Sequence, residues 1–167
     1  RCRRFGKSMA AKMLCAYYDK SCDSRALFQD LEIASHPSFE QHLNKYVVLY
    51  LDMTDFMDEK KDEHIVGKIK KKLKDDIVAA YPGLSVTDDD DVMDTLLKVH
   101  ESTGEMFFFI IDEWDAICRE FKSGSVAMDD YMDWLRRMFK SASAFRVFAG
   151  VYMTGILPIK KYNTQSA

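Results

Sequence analysis

Two apolar runs, each closed by a carboxylate, constrain this chain more than any other feature. Tyr46-Val47-Val48-Leu49-Tyr50-Leu51 ends at Asp52, and Met106-Phe107-Phe108-Phe109-Ile110-Ile111 ends at Asp112-Glu113. Neither run alternates polar with apolar side chains, so each predicts a strand buried on both faces, as in a parallel sheet covered by helices. Between them Val66, Ile69, Leu73, Ile77 and Ala80 recur at steps of three and four. That spacing predicts an amphipathic helix over residues 59–80, stopped by Pro82-Gly83 and lysine-rich on its outer face.

Four aspartates, Asp88 to Asp91, precede Val92, Leu96, Leu97 and Val99. Carboxylates at that place favour a helix start through capping and the helix dipole, and Gly104 marks its end. The aspartate run lacks the alternating ligands and central glycine of a calcium loop. Met128, Tyr131, Met132, Leu135, Met138 and Phe139 predict a further helix, and residues 145–153 a third strand ending at Thr154-Gly155. Near the other end, Ala10, Met13, Leu14 and Tyr17 predict a helix over residues 8–18, while residues 21–44, broken by His36-Pro37, read as a loop with a short helix over 26–31. The order α, β, α, α, β, α, β predicts an α/β fold with a mainly parallel sheet between helical layers.

Chemistry enters with Gly6-Lys7-Ser8, directly before the first of these helices. A G-K-[ST] element closes backbone N–H groups and an ammonium on phosphates and offers a hydroxyl to Mg²⁺. A helix starting there turns its positive dipole end toward the anion. The full loop pattern asks for a glycine five residues before Gly6, where Arg1 stands. A surface turn containing Gly-Lys-Ser is the bland alternative. The weighing changes with Asp112 and Glu113, which end an apolar strand at its carboxyl edge, where open α/β sheets hold their ligands. Asp112 suits a Mg²⁺ role, and Glu113 is placed to orient or deprotonate an attacking water. Thr154 ends the third strand, where a hydroxyl could read the same phosphate.

Composition excludes several classes. A formal net charge of −3 is too mild for electrostatic capture of nucleic acid or an anionic membrane. Lys68, Lys70, Lys71, Lys72 and Lys74 are interleaved with Asp75 and Asp76 and preceded by Asp62 and Glu63, the pattern of a solvated helix face. The longest apolar stretch stops at Asp112, far short of a membrane span. Four cysteines without a C-x-x-C pair and four scattered histidines suggest reduced thiols, a cytoplasmic location and no structural zinc.

With R-x-R-R-F-G-K-S, Y-V-V-L-Y-L-D, I-I-D-E-W-D and Y-M-T-G-I in place, the chain resembles the AAA-ATPase-like family of bacterial proteins over nearly its whole length. The loop lacking its first glycine matches that family, so Arg1 fits the pattern. Cys2 stands where proline is common and Trp114 where tyrosine is frequent. The resemblance implies a three-layer P-loop NTPase fold over residues 1–167, in partial form, without the first strand, the C-terminal strand and the helical lid. It implies ATP and Mg²⁺ as ligands and a nucleotide-contacting stretch of Arg3, Arg4, Phe5, Gly6, Lys7, Ser8 and Met9. Lys7 becomes the phosphate clamp, Ser8 and Asp112 the Mg²⁺ pair, Glu113 the catalytic carboxylate and Thr154 the sensor. Arg3 and Arg4 could equally be a solvated basic shoulder or face a neighbouring subunit. The same resemblance brings a homo-oligomer and a nuclease-like domain of the PD-(D/E)XK class into view, with nucleic acid resting on family context alone. ATP hydrolysis coupled to a conformational change is the leading expectation. A nucleotide-binding regulatory module without turnover is the alternative.

Overall fold

The structure, a computed structural model, describes residues 6–57 and 64–157. Helix α1 (Lys7–Tyr18) opens it, followed by two single-turn helices, α2 (Arg25–Phe28) and α3 (Phe39–His42), flanking a 3-10 turn at Glu32–Ser35. Strand β1 (Val47–Asp52) leads through a second 3-10 turn into α4 (Ile65–Ala80) and α5 (Val92–Thr103). Strand β2 (Phe107–Asp112), helices α6 (Ala116–Glu120), α7 (Val126–Lys140) and α8 (Ala144–Val147), and strand β3 (Phe148–Met153) complete it.

All three strands are parallel, in the order β1-β2-β3. Leu49 pairs with Phe109 and Asp52 with Asp112, so the two acidic strand ends lie side by side at one edge of the sheet. Because successive side chains alternate between faces, Leu49, Leu51, Phe107, Phe109 and Ile111 all enter one core. There they meet Ile69, Leu73 and Ile77 of α4, Leu96 and Val99 of α5, and Tyr131, Leu135 and Met138 of α7. On the opposite face α1 lies against β1 and β2, and the Tyr18 ring stacks on Phe108 with centroids 3.8 Å apart. Helix, sheet, helix is the three-layer arrangement that the uninterrupted apolar strands require.

Three details depart from the sequence reading or sharpen it. The apolar stretch 145–153 divides: residues 144–147 form a helical turn and only Phe148 onward is strand. Ser141 and Ser143 carbonyls accept from the N–H groups of Ala144 and Arg146, which closes that turn, and buried Val147 looks the same to a hydrophobicity pattern in either state. The amphipathic helix starts at Ile65 with His64 as its N-cap, and residues 59–63 of the expected span lie outside the described ones. Residues 21–44 hold more local structure than a loop, organised by Asn44 in the left-handed region at φ 55. Its amide donates to the carbonyls of Ala16 and Asp19 and its oxygen accepts from Ser24 N, which ties the segment to the end of α1 over a small core of Tyr17, Phe28, Phe39 and Leu43. Among the described residues, no helix is long and apolar enough to cross a membrane.

Candidate functional site

Gly6 sits at φ 69 and ψ 25, a left-handed conformation for which a residue without Cβ is suited, and its carbonyl accepts from Ala10 N at 2.9 Å to start α1. Lys7 follows at once. Its ammonium reaches across to the end of β2, 3.7 Å from Glu113 Oε1. Ser8 is exposed in the same first turn, and Met9 is 64% exposed beside it. Arg3, Arg4 and Phe5 lie outside the described residues.

At the far side of this contact, β2 ends in a turn that fixes both carboxylates. Asp112 is wholly buried. Its Oδ1 accepts from Glu113 N at 3.1 Å and from the Thr154 hydroxyl, while Oδ2 faces the Tyr50 hydroxyl at 3.4 Å. Burial pushes the Tyr50 phenol upward and the nearby Asp112 charge pushes it further, so Tyr50 stays protonated and able to donate. Glu113 adopts φ 51, unusual for a residue with a side chain. In that conformation its N–H points back at Asp112 Oδ1 and at Thr154 Oγ1, each 3.1 Å away. Trp114 N donates to Thr154 O and Thr154 N to Ile111 O, so the β2 and β3 ends are laced together through one threonine.

Lys7, Asp112, Glu113 and Thr154, separated by up to 147 positions in the chain, thus form one contact network. Thr154 is 4% exposed, and its hydroxyl donates to Asp112. In this arrangement it orients the carboxylate that ends β2. A cavity of about 590 Å³ runs between α1 and β3, with Lys7 and Thr154 among its walls beside Ala10, Met13, Leu14 and Met153.

Three residues of this network went unread in the sequence. Asp115 is wholly buried and accepts from Ile156 N at 3.1 Å, Leu157 N at 2.9 Å and Arg119 Nη1 at 2.9 Å. Arg119 turns its other nitrogen, Nη2, to Glu113 Oε2 at 2.8 Å. Burial alone would lower the Arg119 pKa, but the bonds to Glu113 and the Asp115 charge outweigh it and the net shift is upward. The i, i+4 spacing of Asp115 and Arg119 was the available signal, a common one on helices. Tyr50 had no signal beyond its place in the strand.

Magnesium takes oxygen ligands, commonly one or two carboxylates together with phosphates rather than a protein cage. A serine hydroxyl at the start of α1 and a carboxylate at the end of β2 are donors of that kind. Among the described residues no group of three or more His, Cys, Asp or Glu is arranged to hold a metal.

Against this geometry, the sequence model of the family described as Predicted AAA-ATPase matches residues 1–164. The chain belongs to the AAA-ATPase-like family. Family membership suggests nucleotide binding in general, and the parallel three-stranded sheet is consistent with an α/β P-loop-like fold. Comparisons with curated proteins and with solved structures found no match.

Proposed function

We propose that this member of the AAA-ATPase-like family binds ATP with Mg²⁺ and hydrolyses it, the energy driving a conformational change in an attached domain or assembly. The observation that carries the reading is the 3.7 Å contact between the Lys7 ammonium and the Glu113 carboxylate, which brings a phosphate-binding lysine and a strand-end acid to one point. Gly6 and the first turn of α1 would receive the phosphates, with Lys7 moving from Glu113 to the γ-phosphate side. Ser8 and Asp112 would hold Mg²⁺, which supplies charge neutralisation at the transferring phosphoryl group when bound. Glu113, released from Lys7, would orient an attacking water and take its proton. Thr154 would keep Asp112 and the Glu113 backbone in register.

A regulatory module that binds without turnover is favoured by a different observation: both Glu113 oxygens face cations, Lys7 and Arg119, in this structure. Titration with a fluorescent ATP analogue and Mg²⁺, followed by phosphate-release assays, separates the two. Lys7→Ala should weaken binding by about 10- to 100-fold, the range of a lost charge-assisted contact. Glu113→Gln should retain binding and lower phosphate release by about 100-fold. Binding without release in the wild-type protein would give the regulatory reading, and no binding in a folded sample would remove both.

A further inference from the structure

We propose that Arg119 is a positioning residue for Glu113, holding one carboxylate oxygen so that the other is presented to the nucleotide side. The inference rests on the hydrolytic reading above and adds a residue that neither the phosphate loop nor the strand-end acid pair contains.

The two cations on Glu113 are not equivalent. Lys7 is 3.7 Å from Oε1, whereas Arg119 Nη2 is 2.8 Å from Oε2. Lys7 is in the first turn of α1 beside the left-handed Gly6, where an incoming phosphate would draw its ammonium away. Arg119 has no such freedom. Its second nitrogen is bound at 2.9 Å to Asp115, a wholly buried carboxylate whose other oxygen accepts from the Ile156 and Leu157 N–H groups. Pulling Arg119 away would leave a buried charge without its cation, a costly state. Arg119 therefore stays when Lys7 leaves.

The backbone of Glu113 is equally constrained. Its N–H is held by Asp112 Oδ1 and Thr154 Oγ1 in the left-handed conformation. With the backbone pinned at one end and Oε2 at the other, the remaining oxygen, Oε1, has one direction left: the position Lys7 vacates. A planar guanidinium reaches two carboxylates from two separate nitrogens fixed relative to one another, whereas a lysine has a single nitrogen to share between them. The same fork links Glu113 to the chain just after β3 through Asp115.

The test uses the protein in its full-length chain, with steady-state phosphate release, titration of a fluorescent ATP analogue with Mg²⁺, and thermal melting. Arg119→Ala should lower kcat by about 10- to 100-fold, the scale of a small misplacement of a reacting group, with analogue binding unchanged within about twofold. Arg119→Lys keeps a cation beside Asp115 and should melt close to wild type, yet still lose about tenfold in kcat because it cannot fork. In a Glu113→Gln background, Arg119→Lys should change turnover by less than about twofold, since a residue acting through Glu113 has nothing further to lose.

Wild-type turnover that is unaffected by Arg119→Lys in a folded protein overturns the proposal. Additive losses in the double variant also overturn it, because Arg119 would then act independently of Glu113. Saturable binding with no wild-type phosphate release overturns the hydrolytic reading itself, and this inference with it.

Discussion

Gly155 shows how closely the site is packed at the level of one residue. A Cβ at that position would lie 2.5 Å from Trp114 Nε1 and 2.7 Å from Asp115 Oδ1. No positive φ is involved, so the requirement is space. The glycine lets the chain after β3 pass against the D-E-W-D turn, which in turn lets Ile156 and Leu157 reach Asp115. Gly155→Ala should destabilise the protein by about 1–3 kcal/mol in urea denaturation, since the Trp114 indole is packed in the core and Asp115 cannot shift without losing its hydrogen bonds. Gly67 is the counter-case: it lies inside α4 with nothing within 4 Å of a built Cβ. Gly67→Ala should stabilise by about 0.5–1 kcal/mol in the same measurement. Equal effects at the two positions would show that the packing around Trp114 is looser than these distances indicate.

Among the elements, α5 has the clearest local cause. Asp91 accepts from Asp94 N at 2.9 Å while Asp94 accepts from Asp91 N at 3.1 Å, a reciprocal capping box, and Gly104 at φ 74 ends the helix. Asp91→Ala should cost about 1 kcal/mol by chemical denaturation, and a change below about 0.3 kcal/mol would mean that tertiary packing alone sets the helix start. The neighbouring Asp90 has a different task. Its Oδ2 accepts from Lys98 Nζ and from Thr87 N, each at 2.6 Å, while Lys74 of α4 donates to the carbonyls of Thr87 and Asp90. One aspartate caps a helix and the one before it closes the connection between two helices, a division that four identical side chains in a row do not announce.

At the scale of the molecule, that connection gives an acid response. The hydrogen bond from Lys98, aided by Thr87, holds the Asp90 carboxyl at about 2, below its ordinary 3.8. A depressed folded-state value stabilises the protein above the unfolded value and loses that contribution as pH falls from about 3.8 toward about 2. The melting-temperature gap between wild type and Asp90→Asn should therefore be open at pH 5–6 and narrow toward pH 2. A gap constant over that range would assign the loss to the neutral hydrogen bonds instead.

Much of the architecture was local enough to read. Uninterrupted apolar runs ending in carboxylates can bury both faces only in a helix-covered parallel sheet, and β1 and β2 follow from that. Three- and four-residue spacing gave α4, α5 and α7, because helical periodicity is a property of neighbours. The boundary of β3 escaped it, since Val147 is buried whether it ends a helical turn or begins a strand. At the site, Gly6, Lys7, Asp112 and Glu113 were visible as residue types in their local settings. Thr154 was visible too, as the residue ending the third strand, but the parts of Tyr50, Asp115 and Arg119 were not. Tyr50 faces Asp112 across 62 positions, through the register that sets Asp52 beside Asp112, and Asp115 meets Ile156 and Leu157 across 41 and 42. What the sequence determined by itself was the elements and the chemical groups at their ends, because each depends on side chains a few residues apart. Only the tertiary structure decided that Lys7 faces from α1 the same half-buried carboxylate that Arg119 holds, and that the chain after β3 closes on the buried Asp115, because these groups meet only once the sheet and its flanking helices have packed.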